Sequence, residues 1–380
     1  MPFIGTSANP MSNLTIKAVD TNELQEDFLI FPKTLYRDCP YWVPPNYSYE
    51  KQLAGFTSHP FYERAESQAF VAMKDGVLCG RILAIINHAH NDWFGERFGF
   101  FGFFESINDQ GVSNGLLDSV VEWLRDRQCQ MVRGPVSPAV TYQGGLLVDK
   151  FDQVPTFLMP YNPRYYIDLI EEYGFQKSQN ILSYSGHVSE LDRVIAKFRS
   201  TSEMAVERFN VTMRAFDIEK IDDELSLFYN IYNRSLKNMW GYSPVSDAEI
   251  EYAGQSWGDM IVPEFTSVAE IDGEPVAVSI GLLDFNQLIQ KEGEGVKWDA
   301  LIDVKKIKRL QIPYALVLPK YRLWGLGPAV LYNMLDSSLE WGIEEVEFAW
   351  IAESNQLSSK TLIKGGAKTG AIHRIYDLPM

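Results

Sequence analysis

The sequence predicts an α/β (α+β) fold made of two tandem copies of one unit, each a mixed sheet flanked by helices. Three observations carry this. The heptapeptide Leu117-Asp118-Ser119-Val120-Val121-Glu122-Trp123 returns as Leu335-Asp336-Ser337-Ser338-Leu339-Glu340-Trp341, each time in a helix-period segment that runs into a short apolar stretch. Upstream of each copy, two strand-like runs are joined by an Asp-Gly turn, Asp75-Gly76 in QAFVAMKDGVLCGRILAII and Asp272-Gly273 in FTSVAEIDGEPVAVSIGLL. Downstream, NPRYYIDLIEEYGFQK (residues 162–177) and NQLSSKTLIKGGAKTG (residues 355–370) are helical segments that close on glycine, as a C-cap does.

The elements follow in the same order twice. LTIKAVD (residues 14–20) and VTMRAFD (residues 211–217) alternate as strands and lead into helical segments. After the first hairpin come the strand FGFFGFFESIND (residues 98–109), the heptapeptide helix, a short strand at Met131-Val132 and the helix that closes the copy. After the second hairpin come the apolar run of residues 315–318, a glycine turn, the second heptapeptide helix, the strand Val346-Glu347-Phe348-Ala349-Trp350 and the last helix. Domains of residues 1–187 and 211–380 result. A linker of residues 188–210 joins them, with LDRVIAKF read as helical and RSTSEM as polar and loose.

Composition narrows the function. A chain of 380 residues with 46% hydrophobic content buries its cores without staples. Cys39, Cys79 and Cys129 are far apart and form no C-x-x-C pair, so neither a disulfide framework nor a cysteine metal site is expected. No apolar segment reaches the roughly 18 to 20 residues of a membrane span, and the start, MPFIGTSANPMSNL, has no basic region before an apolar core. A cytoplasmic protein with no membrane partner is the expectation. A formal charge of −16 repels phosphate backbones, so no nucleic acid is expected as a partner. An acidic surface suits an amine-bearing substrate, and it is also what an ordinary solvated surface looks like.

The stretch YRLWGLGPAV (residues 321–330) carries the chemistry. Its glycines let consecutive backbone N–H groups approach an anion at a helix N-terminus, where the dipole favours negative charge. Pro328 sits in the first turn, which needs no donor there. A dinucleotide fingerprint would need a third glycine where Val330 stands, and GGAKTG (residues 365–370) lacks the first glycine of a P-loop. A tight strand-to-helix corner without ligand is the competing reading.

That element order with Arg322-Leu323-Trp324-Gly325-Leu326-Gly327 resembles the R/Q-x-x-G-x-G/A loop of the GNAT acyltransferases. Over nearly its full length the chain is similar to bacterial two-domain GNAT-like proteins. The similarity lies in CGRILAIINHAHN, FGFFES, Gly134-Pro135, GGLLVDKF, YNPRYYIDLIEEYGFQK, Asn238-Met239-Trp240-Gly241, Asp284-Phe285-Asn286-Gln287, the glycine loop, Glu353-Ser354-Asn355 and Arg374-Ile375-Tyr376. Ser137 departs from the asparagine expected after Gly-Pro. The resemblance implies sheets splayed at their centre and acetyl-CoA or another acyl-CoA as cosubstrate, without metal. It also implies an N-acyltransferase acting on a small-molecule or peptide-like amine, or a noncatalytic module that binds such a ligand.

On the same resemblance, Arg322, Gly325, Leu326, Gly327, Asn355 and the backbone of Ala315 and Val317 are the cofactor-binding candidates. The family's proton-donating tyrosine, seven residues after an asparagine, falls on Leu362, which leaves water or Tyr376 for that role. Glu353 is the candidate base or a carboxylate at a helix start. Asp284 and Asn286 either meet the acceptor or form a turn, and Tyr165 and Tyr166 either line its cleft or belong to the core. His88 and His90, two apart with no third ligand, read as a solvated loop. The first copy lacks the arginine and has only Gly111 near its turn, so it is expected to keep the fold, lose the phosphate cradle and build part of the acceptor cleft.

Overall fold

A computed structural model of the chain describes residues 13–292 and 304–380; residues 1–12, part of the segment read for targeting signals, lie outside them. The first half runs β1 (Leu14–Ala18), α1 (Asn22–Leu35), α2 (Tyr47–Leu53), β2 (Ala65–Lys74), β3 (Val77–Asn87), α3 (His88–Phe94), β4 (Phe98–Ser106), α4 (Gln110–Asp126), β5 (Met131–Gly134), β6 (Leu146–Leu147), α5 (Tyr166–Tyr173) and β7 (Gln176–His187). A connecting helix, α6 (Asp192–Phe209), follows. The second half repeats the order with β8 (Val211–Arg214), α7 (Ile221–Leu236), α8 (Asp247–Trp257), β9 (Thr266–Ile271), β10 (Glu274–Leu283), α9 (Asn286–Glu292), β11 (Arg309–Val317), α10 (Leu326–Trp341), β12 (Glu345–Ala352), α11 (Gln356–Lys364) and β13 (Lys368–Pro379). The heptapeptides fall on α4 and α10, equivalent helices of the two halves.

RSTSEM is helix, contrary to its reading as a loose tract. Val194, Phe198, Ser202 and Ala205 recur every three or four residues and are buried, so α6 presents one continuous apolar stripe. That stripe lies along α10.

Among the described residues the strands form one sheet, ordered β1-β2-β3-β4-β5-β13-β7-β12-β11-β10-β9-β8, with β6 added beside β13. The two halves exchange their last strands. β13, from the end of the chain, lies against β5 through Tyr376↔Gly134 and Asp377↔Arg133, while β7 lies against β12 through Val346↔Gly186 and Phe348↔Tyr184. Arg133 fixes the first of these pairings with a bidentate bond to the Asp377 carboxylate, both contacts 2.8 Å.

In each half a parallel pair opens partway along. β4 and β5 pair from Phe98↔Met131 to Phe100↔Arg133, and β11 and β12 from Arg309↔Glu345 to Ile312↔Phe348. Beyond these points no further strand of the described residues pairs with β4 or β11 on that side, and Pro313 removes an N–H where the second opening starts. Apolar clusters cover both faces of the sheet, with Leu116, Leu117 and Tyr376 in a first-half core and Met334, Leu335 and Leu362 in a second-half core.

Because each half borrows a strand, unfolding is expected as one calorimetric transition. Leu116→Ala and Met334→Ala, in different halves, should each lower that same transition by about 2–5 kcal/mol; two separately shifted transitions would contradict the interlock.

Candidate active site

The second half keeps an open edge. The Leu318 N–H donates to the Val276 carbonyl at 2.9 Å, and β11 is antiparallel to β10 with Leu316 opposite Val278. N–H groups alternate sides along a strand, so those of Ala315 and Val317 point away from β10, into the opening between β11 and β12. Ala315 is exposed there. At the end of β11, Gly325 takes φ +78°, a left-handed conformation that turns the chain into α10. No side chain of the described residues caps this helix, so its first-turn N–H groups remain as donors. The bulky loop residues do not fill the cradle: Leu323 is 97% exposed, and Trp324 stacks on Phe209 of α6, ring centroids 4.1 Å apart.

The first half has closed both features with its own groups. The Asp109 carboxylate accepts from Gly111 N and Val112 N at the start of α4 and is paired with Lys74, so an internal anion occupies this helix start. Along β4, Phe103 N donates to Ser137 Oγ at 3.1 Å and Val136 N to the Phe101 carbonyl at 2.8 Å. A Cβ on Gly102 would overlap the Val136 carbonyl, so this strand edge is sealed by the segment after β5.

Two halves of one order, each with a sheet opened between its fourth and fifth strands, set the comparison with solved proteins. A tandem GNAT protein from the clavulanic acid biosynthesis pathway superposes with a TM-score of 0.56 at 10% identity, over 97% of this chain and 98% of that one. The chain has a tandem GNAT fold. In sequence it is similar to Protein YghO of Escherichia coli (strain K12), 26% identical over 369 residues, covering 94% of this chain and 93% of that protein. It is also similar to the bacterial ceramide synthase of Caulobacter vibrioides, 27% identical over 392 aligned positions, covering 99% of each. No protein-family model matches the chain.

In this GNAT frame the remaining sequence candidates fall in different places. Arg322 turns away from the cradle and donates to the Ser235 carbonyl at 2.6 Å, tying the loop to α7. Asn355 caps α11 by accepting from Ser358 N. Glu353 is held in an ion pair with Lys177 at 2.7 Å, which lowers its pKa and makes it a poor base. Tyr376 is carried by the strand exchange into the first-half core, fully buried, with its hydroxyl on Glu171 at 2.9 Å; it does not face the second opening. Leu362 is core.

Asp284 is buried and accepts from Phe157 N at 2.9 Å beside Arg309, so it pins the segment 155–157 instead of meeting solvent; burial pushes its pKa up to about 6. Asn286 donates to the Pro155 carbonyl and lines a cavity between the halves. His88 and His90 lie on α3, not in a loop, and His90 is buried between the Tyr242 carbonyl and Glu96. Among the described residues no helix is long and apolar enough to cross a membrane, and no group of three or more His, Cys, Asp or Glu is placed to hold a metal ion.

The cavity that Asn286 lines, about 450 Å³, holds the charged groups the sequence reading missed. Arg81 of β3 is buried and donates to Glu50 Oε1 of α2 and to the Phe28 carbonyl, both at 2.8 Å, with Glu105 of β4 at 3.8 Å. Glu105 accepts from Tyr36 at 2.6 Å and from Tyr166 at 2.7 Å. Tyr166 is therefore core, yet it positions a cavity carboxylate, while Tyr165 donates to the Ser106 carbonyl. Burial raises the Glu105 pKa to about 7, against the pull of Arg81 and the two hydroxyls.

A raised carboxylate pKa means the folded state holds the proton more tightly, so wild-type stability falls as pH rises from about 4.5 to about 7. For a shift of this size the loss is about 3 kcal/mol. Glu105→Gln removes that contribution: the Tm difference between variant and wild type should widen in the variant's favour across this window. His59 and His373, both lowered to about 4 by burial, oppose the slope equally in both proteins. A Tm difference independent of pH would show that Glu105 titrates normally.

Proposed function

We propose that this chain is an acyl-CoA-dependent N-acyltransferase that joins one acyl group to a primary amine, with the thioester held by the second half. The observation that carries this reading is the asymmetry of the two openings. Among the described residues the second half leaves an uncapped, glycine-led helix start and an unpaired strand edge side by side, and the first half fills both with Asp109, Val136 and Ser137.

The N–H groups of Leu326 and Gly327 would receive the pyrophosphate at the start of α10, and those of Ala315 and Val317 the pantetheine and the thioester oxygen. The amine first loses a proton. Its nitrogen then attacks the thioester carbon, the C–N bond forms, the C–S bond breaks and the departing thiolate takes a second proton from nitrogen. Holding the two reactants together can supply effective molarities of about 10^5 to 10^8 M, so the backbone and the paired clefts account for much of the rate. A relative named for ceramide synthesis favours a lipid-like amine over a peptide. Leu362, buried where the family's tyrosine acid stands, favours the second reading, a module that binds acyl-CoA without turning it over.

Thiol release from acyl-CoA on addition of a primary amine separates these readings. Gly327→Val should abolish release and acyl-CoA binding with Tm nearly unchanged, because a Cβ at Gly327 meets nothing nearer than Val317 Cγ2 at 3.6 Å. Acyl-CoA binding without release for any amine supports the noncatalytic reading, and full release by the valine variant would remove the loop from the mechanism.

A further inference from the structure

We propose that the cavity between the halves seats the acceptor, a primary amine on an apolar chain, with its ammonium group held between Glu50 and Glu105. Calling this ligand the acceptor rests on the acyltransferase reading; its binding does not.

The cavity has the size of a small-molecule site and a lining that is part apolar and part charged. Trp42, Val43, Leu53, Met159, Met260 and Ile289 give it apolar walls, and Glu50, Arg81 and Glu105 give it a charged floor. The floor carries two carboxylates against one guanidinium. Glu50 is 8% exposed and its Oε2 has no partner among the described residues, so a buried acceptor is left unmet at the cavity wall. Arg81 offers less to a ligand. Each of its terminal nitrogens already has a partner, Phe28 and Glu50, its guanidinium lies 4.8 Å from the Phe28 ring centre and 5.8 Å from that of Phe103, and its Nε has no partner among the described residues. The open Glu50 Oε2 and the second carboxylate call for a further donor with positive charge, and an ammonium group supplies both.

The cavity also adjoins the second opening. Phe157, Leu158, Met159 and Pro160 line it, Leu158 packs with the cluster of Tyr314 and Leu316 on β11, and Met159 Sδ receives the Trp350 indole N–H of β12 at 2.7 Å. One segment thus touches both arms of the second opening and walls the cavity. Glu105, ionising near neutral pH, is suited to take the first proton from the bound ammonium and pass it to solvent, giving the free amine the reaction needs. Arg81 of β3, Glu50 of α2, Tyr36 beyond α1, and Tyr165 and Tyr166 at α5 are the titratable and charged groups around it.

Calorimetry without acyl-CoA, at pH 8, tests the proposal with decylamine, decanol and decanoate. Decylamine should bind at least tenfold more tightly than the other two. Glu50→Gln and Glu105→Gln should each weaken it at least tenfold, and Ile289→Trp, which fills the apolar part, should abolish it; all three should keep acyl-CoA binding. Equal binding of decanol, tighter binding of decanoate, or wild-type affinity in the two glutamine variants would overturn it. Gly327→Val separates the two readings, since it should lose acyl-CoA and keep decylamine. Decylamine binding by a wild-type protein that takes no acyl-CoA would sustain the cavity assignment and defeat the acyltransferase.

Discussion

The placement of β13 between β5 and β7 is the constraint on which the rest of the molecule depends. A sheet opened between its fourth and fifth strands needs a firm far side, because the fifth strand has lost part of its pairing on the near side. Each half obtains that side from the other: β5 leans on β13, and β12 leans on β7. The halves are thereby fixed relative to one another, and the groups between them can be positioned across the boundary. Asp284 reaches back to Phe157, Thr156 donates to Glu347 at 2.6 Å, and Asn87 donates to Ser243 at 3.0 Å. These charge-bearing and polar contacts would be costly to bury on independent domains that move.

With the frame fixed, the two copies have diverged in what they leave open. Asp109 gives the first copy its own anion at the helix start, worth about what an N-cap contributes, on the order of 1 kcal/mol. The second copy has no such cap at Gly325, so its first-turn N–H groups stay open among the described residues. The first copy gathers Glu50, Arg81 and Glu105 beneath an apolar cavity. A lone buried ion pair is a weak source of stability, and a carboxylate oxygen left without a donor is a cost. Such an arrangement is retained most readily where a ligand completes it.

Much of the fold was legible because it rests on local signals. The two Asp-Gly turns, the repeated heptapeptide and the Gly325-Leu326-Gly327 corner each encode a backbone conformation within a few residues, and all sit where the reading put them. The strand exchange was not legible, since β7 and β13 carry the same alternation whichever neighbour they take. That single omission misplaced Tyr376, which joins the first half instead of facing the second opening. RSTSEM looked loose because its buried positions include Ser202, a small residue that packs despite its polarity. Glu50, Arg81 and Glu105 stand on three different elements with no shared spacing, so tertiary packing alone brings them together. Glu353 sat near the expected strand end, but the lysine that claims it comes from the other half.

The central claim is that the duplication left one working thioester cradle, in the second half. Calorimetric titration of the full chain with acetyl-CoA and a long-chain acyl-CoA tests it most directly, through the stoichiometry. The account predicts one site per chain for the thioester that binds. Two equivalent sites, or none for either thioester, would contradict it.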